Sequence, residues 1–213
     1  MNNSTPPHVH CSAHPVLRHA LTQLRDESAT PERFRSRLRS IASILLMEAT
    51  ADLVLDAQPL RTPLESTTGE ALARPLVFVP ILRAGLGMLD AALDLVPDAA
   101  VGHLGVFRDE ETLEPVEYYA KFPLRLSEST VLLLDPMLAT GGSAMAAVQR
   151  LRTHGALDIR LAVLIAAPEG IAAFTAACPD VPVFTGAVDR QLNERGYILP
   201  GLGDAGDRLF ATL

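Results

Sequence analysis

The order of short apolar runs and amphipathic stretches predicts an α/β fold, a mostly parallel central sheet covered by helices on both faces. Three observations carry that prediction. From Leu76 onward, runs suited to strands alternate with stretches of helical period. The run Val131–Leu134 is apolar throughout, too short for a helix and suited to a strand buried on both faces. The 213 residues are 48% hydrophobic and 20% charged, the composition of an ordinary globular chain with room for one full core.

Residues 1–13 read as a disordered N-terminal tail, and residues 14–213 as a single domain. His8, His10, Cys11 and His14 superficially resemble a metal cluster, but the segment is a polar terminus with no second ligand pair to close a site. A first helix over His14–Glu27 places Val16, Leu17, Ala20, Leu21 and Leu24 on one face. Thr30-Pro31-Glu32 is a strong helix start, with Thr30 as N-cap and Pro31 at the first position. That helix continues to Leu55. Arg33, Arg35, Arg37 and Arg39 mark a solvated face on its first half, and its second half is apolar enough to be buried, with another subunit as one candidate cover. Residues 58–75 read as a connection with a weak strand. Strands follow at Leu76–Pro80, Val101–Phe107, Glu117–Phe122, Val131–Asp135, Ile159–Ala167 and Val181–Thr185. Helices are expected over Ala84–Val96, Ser143–His154 and Glu169–Cys178. The pair around Arg108–Pro123 breaks the rhythm and reads as an antiparallel β-arm, and a loop-rich cap ends the chain.

The stretch that organises the chain is Val131–Ser143, VLLLDPMLATGGS. A buried strand ends on the carboxylate of Asp135. Thr140-Gly141-Gly142-Ser143 then leads into an amphipathic helix stopped by Gly155. Glycines let the backbone approach a ligand, and the free N–H groups and dipole of a helix start favour an anion. An ordinary βα connection capped by Ser143 would explain a bare TGGS. The acid ahead of the turn suits a ligand with both a phosphate and neutral hydroxyls, such as a phosphorylated ribose. The pattern resembles the phosphoribosyl-diphosphate loop of type I phosphoribosyltransferases, although Pro136 stands where that superfamily often has a second acid.

Composition excludes several other classes. Net charge −7 argues against a protein whose main partner is nucleic acid. No run approaches the roughly 20 apolar residues of a membrane span, and MNNSTPPHVH lacks the features of a secretory signal. The two cysteines, Cys11 and Cys178, make no disulfide framework, and a cytoplasmic location is the simplest expectation. Lys121 is the single lysine and no Walker-type Gly-Lys-Ser exists, so a bound polyanion must be held by arginines and backbone amides.

In open parallel sheets ligands bind beyond the carboxyl ends of the strands, which puts the remaining motifs on one rim. PILRAGLG (residues 80–87) turns there, and the shared edge with Asp135 favours Arg83 as a grip on a diphosphate over a plain surface arginine. Arg108 ends the next strand. The three glutamates that follow it, Glu110, Glu111 and Glu114, can be read as acid/base groups, but crowded acids on a hairpin tip are more often solvent-facing. Tyr118, Tyr119 and Lys121 on the arm are explained equally by core packing or by contact with a partner subunit. Glu169, in the Ala167–Gly170 turn, complements a helix dipole. Gly201-Leu-Gly203-Asp-Ala-Gly206 matches G-x-G-x-x-G, but too little chain follows for a βαβ unit. It reads instead as a loop that exposes backbone donors and acceptors, with Asp204 and Asp207 in it, and Tyr197 and Ile198 as a flat apolar wall for a planar base.

Together PILRAGLGM, RDEETLEPVEYY, DPMLATGGS, AAPEGI and LNERGYILPGLGDAGDR resemble the uracil phosphoribosyltransferase family, in that family's order, from about His14 to the C-terminus. Asp-Pro at 135–136 is that family's own variant. Met47 in place of a tyrosine, and the Phe210-Ala211-Thr212 tail, are departures outside the expected site. The resemblance implies the type I phosphoribosyltransferase fold with a base-binding hood over about residues 186–213. It implies a pentosyltransferase that moves phosphoribosyl from 5-phospho-α-D-ribose 1-diphosphate (PRPP) to uracil, giving UMP and diphosphate. It maps donor binding onto Arg83, Arg108, Asp135, Pro136, Met137, Leu138, Ala139, Thr140, Gly141, Gly142 and Ser143, with Asp204 completing the contact. Uracil binding maps onto Ile198, Gly203, Asp204 and Ala205, and catalysis onto Asp135, Arg83, Arg108 and Asp204. No protein metal site is expected, with Mg²⁺ carried on the diphosphate of the donor. The resemblance also implies a homodimer or homotetramer and a GTP effector, for which the arginine-rich helix from Pro31 is a candidate surface. Uracil N1–H has two candidate acceptors, Asp204 and water. The rival readings are a non-catalytic regulator of this fold that binds nucleotide and nucleic acid, and a transferase for another base.

Overall fold

A computed structural model describes residues 8–108 and 115–212. The elements are β1 (Val9–Cys11), α1 (Pro15–Arg25), α2 (Pro31–Ala49), β2 (Leu55–Arg61), β3 (Ser66–Leu72), β4 (Leu76–Leu82), α3 (Leu86–Leu95), β5 (Ala100–Val101), β6 (His103–Arg108) and β7 (Pro115–Lys121). There follow β8 (Thr130–Leu134), β9 (Met137–Leu138), α4 (Gly142–Thr153), β10 (Asp158–Val163), β11 (Ile165–Ala166), α5 (Pro168–Ala177), β12 (Val183–Thr185), β13 (Gln191–Leu192), β14 (Ile198–Leu199) and α6 (Ala205–Phe210). The main sheet runs β1-β12-β10-β8-β4-β6-β7, with β5 also on β4. Every pairing in it is parallel except β6 with β7, the expected antiparallel arm.

Both faces are covered, and the strand residues divide between them. Leu76, Phe78, Leu132, Leu134, Ala162 and Phe184 join the core under α1, α2, α3 and α6. Val77, Val79, Val131, Leu133, Leu161, Val163 and Val183 join the core under α4 and α5. In β4 and β8 this period-2 division inside nearly continuous apolar runs is why the sequence lacks polar alternation. Phe78 and Phe174 are fully buried, one in each core. Truncating such a side chain to alanine costs about 3–5 kcal/mol.

The helix boundaries follow local chemistry. Thr30 caps α2 through its hydroxyl, which accepts the Arg33 N–H at 3.3 Å. Gly155, with φ +91, ends α4 in a Schellman turn: Ala156 N–H reaches Leu151 O at 3.0 Å and Gly155 N–H reaches Arg152 O at 2.9 Å. Of the α2 arginines, Arg33, Arg35 and Arg39 are exposed and Arg37 half-buried, and Phe34, Leu38, Ile41, Ala42, Leu45 and Ala49 pack into the core of this chain, while Met47 is exposed.

Several expectations are corrected. The tail expected over residues 1–13 is ordered from Val9: β1 pairs with β12, Val9 opposite Val183, and the Ser12 hydroxyl donates to Glu48 at 2.8 Å. A three-residue edge strand has no periodicity of its own, and only its distant partner defines it. His10 stacks on Phe184 with ring centroids 4.8 Å apart. Helix α2 stops at Ala49 rather than Leu55, and residues 58–75 are not a connection but most of the β2–β3 hairpin, whose register runs from Leu55–Leu72 to Arg61–Ser66. The hairpin is solvent-exposed on nearly every residue, so no buried face patterned its sequence. The strand expected over Ile159–Ala167 is split into β10 and β11 at Leu164. The loop-rich cap contains a helix, α6. The acids at 109–114 lie outside the described residues.

Candidate functional site

Because β4, β8, β10 and β12 are parallel, their carboxyl ends form one rim, and the predicted motifs gather there. Register places Pro80 of β4 opposite Leu134 of β8, so Arg83 and Asp135 both lie just past adjacent strand ends. The turn between β4 and α3 fits tightly against β8: a Cβ on Gly85 would stand 2.4 Å from Leu134 O. The Leu82–Arg83 peptide is cis. Arg108 is the last residue of β6, beyond the Leu82–Gly105 pairing, and thus at the same end of the sheet.

The loop expected to bind the donor (the donor loop, residues 135–143) is held by backbone bonds to the β10–α5 connection. Leu164 N–H and Ile165 N–H donate to Pro136 O at 3.0 and 3.2 Å, and Ala167 N–H donates to Leu138 O at 2.9 Å. Met137 and Leu138 pair in parallel with Ile165 and Ala166. Two glycines let the loop close on the start of α5. A Cβ on Gly170 would meet Ala139 O at 2.2 Å, and Gly141, at φ +87, sits where its own Cβ would be 3.3 Å from Gly170 O. Gly141 is also the N-cap of α4, with no side chain capping the helix. Ser143 lies inside the first turn, so the simple capping role does not describe it. The first N–H groups of α4 therefore retain donor capacity for an anion.

Asp135 sits at the floor of this loop, partly open to the rim. Dense surroundings desolvate its carboxyl and push its pKa from 3.8 up to about 7, opposed by the Met137 N–H that donates to it at 3.4 Å. The acid is thereby poised to change charge near neutrality.

A base-binding hood is expected over about residues 186–213, and the segment after Thr185 carries β13, β14 and α6. β13 and β14 make a short antiparallel hairpin, and the following turn has Gly201 at φ +66 and Gly203 at φ +78. Ile198, Leu202 and Ala205 are buried, whereas Gly203 and Asp204 are exposed. Asp204 has a structural task that sequence reasoning missed: it is the N-cap of α6, accepting the Asp207 N–H at 2.9 Å. Arg83 meets the hood rather than standing alone. Its guanidinium lies 3.3 Å from Asp207 and 5.8 Å from the centroid of Phe210, and within 3.7 Å of where a Gly206 Cβ would be. More than half of the Arg83 side chain is exposed, leaving N–H groups for a ligand. Glu169 does more than complement a helix: its Oε1 accepts the Leu192 N–H at 3.0 Å and ties α5 to the hood. Tyr118 packs over Gly105 on the arm, and Tyr119 and Lys121 are exposed.

Three further residues were absent from the sequence-based site. Arg25, Asp189 and Arg208 hold the hood turn from beneath. Arg208 stands within the motif that carries the family resemblance, but nothing local marks Arg25 or Asp189.

The family model for uracil phosphoribosyltransferase matches residues 11–212. A uracil phosphoribosyltransferase of Rhizobium rhizogenes is 52% identical over 200 residues, 93% of this chain and 96% of that protein. One from Rhodococcus jostii is 51% identical over 96% of this chain and 98% of its own length. A solved structure of the AQ2163 protein from Aquifex aeolicus superposes with TM-score 0.92 at 41% identity, covering 95% of this chain and 98% of that one. A hypoxanthine phosphoribosyltransferase from Staphylococcus aureus, at 15% identity and TM-score 0.52, shares the fold across 85% of this chain and 84% of its own. The family model and the relatives at about 50% identity over nearly the whole chain lead to one conclusion: the chain belongs to the uracil phosphoribosyltransferase family.

Proposed function

We propose that this chain transfers the phosphoribosyl group of PRPP to uracil, and that its rim motifs carry the roles the resemblance implies. The observation behind the reading is the uncapped start of α4 behind a left-handed Gly141, with Asp135 at the end of the preceding strand. The amides of Thr140–Ser143 fix the 5-phosphate. Asp135, ionised, accepts the ribose hydroxyls and stabilises positive charge at C1 as diphosphate departs. Arg83 and Arg108 offset charge on the leaving group. Backbone groups at Ile198 and Gly203–Ala205 pair with the uracil carbonyls and N3–H. Cytosine reverses polarity at two of those atoms, a mismatch a hydrogen-bonding site rejects by up to about 10⁴. Positioning of the two substrates is the main source of rate. The N1 proton passes to Asp204 or to water, and capping of α6 by the Asp204 carboxylate leaves it one free oxygen for that use.

Among the described residues no three His, Cys, Asp or Glu side chains stand together to hold a metal. A single carboxylate plus substrate phosphates is a donor set that suits magnesium. Mg²⁺ held by the diphosphate, with Asp135 nearby, would neutralise leaving-group charge. For the GTP effector the candidate surface is the groove of about 390 Å³ between α2, α3 and α6, where Arg35 and Arg39 stand beside Glu32 and Asp90. A homodimer or homotetramer is favoured by the exposed β2–β3 hairpin, which leaves Leu55, Leu60, Leu64 and Leu72 in solvent. Two free cysteines suit a reducing cytoplasm, and no helix among the described residues is long and apolar enough to cross a membrane.

The test is UMP formation from labelled uracil, PRPP and Mg²⁺, beside cytosine and hypoxanthine, with and without GTP. Turnover with uracil alone is the expected result. Donor binding without turnover of any base would overturn the enzymatic reading, and turnover of another base would overturn the choice of uracil.

A further inference from the structure

Two arginines hold consecutive carbonyls of the hood turn. Arg25, in the last turn of α1, lies 164 residues before Asp189 and 176 before Gly201. Its guanidinium grips Asp189 through both carboxylate oxygens, at 2.8 and 2.6 Å, and Nη1 also donates to Gly201 O at 2.6 Å. Asp189 closes the ring by accepting the Gly201 N–H at 3.0 Å. Arg208 takes the next carbonyl, Leu202 O, at 2.7 Å, and its other nitrogen reaches back to Asp26 O. The Arg208 guanidinium also lies 4.6 Å over the Phe34 ring.

Both polar groups of the Gly201 residue are thus committed, and so is the Leu202 carbonyl. The turn also requires glycine at 201: at φ +66 its backbone lies so close to Ile198 that a Cβ would stand 2.2 Å from Ile198 O. The first exposed residues after this fixed point are Gly203 and Asp204. Asp189 is only 8% exposed, and an apolar pair of equal volume would serve stability as well or better than such an ion pair. The bidentate fork adds direction, because it fixes the orientation of a peptide group that an apolar contact leaves free to rock.

We propose that Arg25 and Asp189 are positioning residues for base recognition, setting Gly203–Ala205 against uracil from the far side of the hood. The proposal rests on the uracil reading given above. The two side chains turn toward Gly201 and each other, not toward the donor loop, so their effect falls on the base and spares the donor.

The experiment compares wild type with Arg25→Lys, Arg25→Ala and Asp189→Asn, measuring KM for uracil and for PRPP separately, with thermal melting as the control for folding. Arg25→Lys keeps the charge and loses the fork. We expect its uracil KM to rise about tenfold or more, which is about 1.4 kcal/mol, with the PRPP KM within about twofold of wild type. Ethylguanidinium should partly restore the uracil KM of Arg25→Ala. Asp189→Asn, which keeps an acceptor for the Gly201 N–H, should show the same split at smaller size and carries the test should the Arg25 variants not fold. A folded variant with an unchanged uracil KM, or with both KM values rising together, overturns the proposal. Wild type that forms no UMP from uracil would instead defeat the functional reading itself, and the inference with it.

Discussion

The two glycine-containing loops of the rim are held by different means. The donor loop is fastened by backbone groups: Pro136 and Leu138 offer carbonyls to the β10–α5 connection, and Gly141 and Gly170 let main chain lie against main chain. The hood turn is fastened by side chains, with Arg25, Asp189 and Arg208 reaching its backbone from outside. Backbone fastening writes itself into the local sequence, because it needs glycine at particular positions and a carboxylate at a strand end. Side-chain fastening leaves no such mark, since any arginine that the fold brings within reach will serve. In the proposed reading the first loop meets a phosphate, and the second must hold a turn in the correct orientation for a planar base.

That contrast can be broken most severely at the acid of the donor loop. Asp135→Asn keeps size and loses the charge, and we expect kcat/KM for the donor to fall about 10²–10³-fold, the scale for removal of one electrostatic group at a reacting centre. The same change should stabilise the protein above neutrality. The pKa of Asp135 in the fold, about 7, exceeds the 3.8 of a free side chain, so the folded state holds a proton that the unfolded state releases between those values. Stability is then lost as pH rises through that window, and the full cost of ionisation is present above about pH 7. Melting curves of Asp135→Asn and wild type should coincide near pH 4 and separate at pH 8, with the variant higher by on the order of 2–4 kcal/mol. For the same reason donor affinity in wild type should strengthen as pH rises through about 7, which calorimetry of PRPP binding would detect, along with proton release.

A smaller effect separates the loops by substrate. Gly170→Ala places a methyl 2.2 Å from Ala139 O and forces main chain apart. We expect a loss of about 1–3 kcal/mol in stability and a raised KM for PRPP, with the uracil KM nearly unchanged. That is the mirror image of the Arg25→Lys result, and equal shifts in both constants would show that the loops are not independently held. The smallest expected effect lies at the contact that joins them. Glu169→Ala removes the acceptor of the Leu192 N–H, a bond worth about 0.5–1.5 kcal/mol, and should raise the uracil KM by a few-fold. Glu169→Gln, which keeps an acceptor, should behave as wild type. A stronger loss in Glu169→Gln than in Glu169→Ala would assign the residue to charge rather than to this hydrogen bond.

The amino-acid sequence by itself determined the features that depend on neighbours along the chain. Continuously apolar runs encoded strands buried on both faces, Thr30-Pro31 and Gly155 encoded helix ends, and DPMLATGGS encoded a glycine loop with an acid at a strand end and an uncapped helix start behind it. Together they carried the fold and the family. Only the tertiary structure decided what depends on residues far apart. It made β1 a strand, because Val183 lies beside Val9. It made the exposed Leu55–Leu72 region a hairpin, where no buried face had imposed a pattern. It gave Asp204 a helix to cap, joined Glu169 to Leu192, and set Arg25 under Gly201. The physical reason is the range of each interaction. Capping, turn conformation and strand or helix period act within a few residues and constrain which residue types stand next to one another. An ion pair closed between α1 and the segment after β12 constrains only two positions and their separation in space, which the chain acquires when it folds.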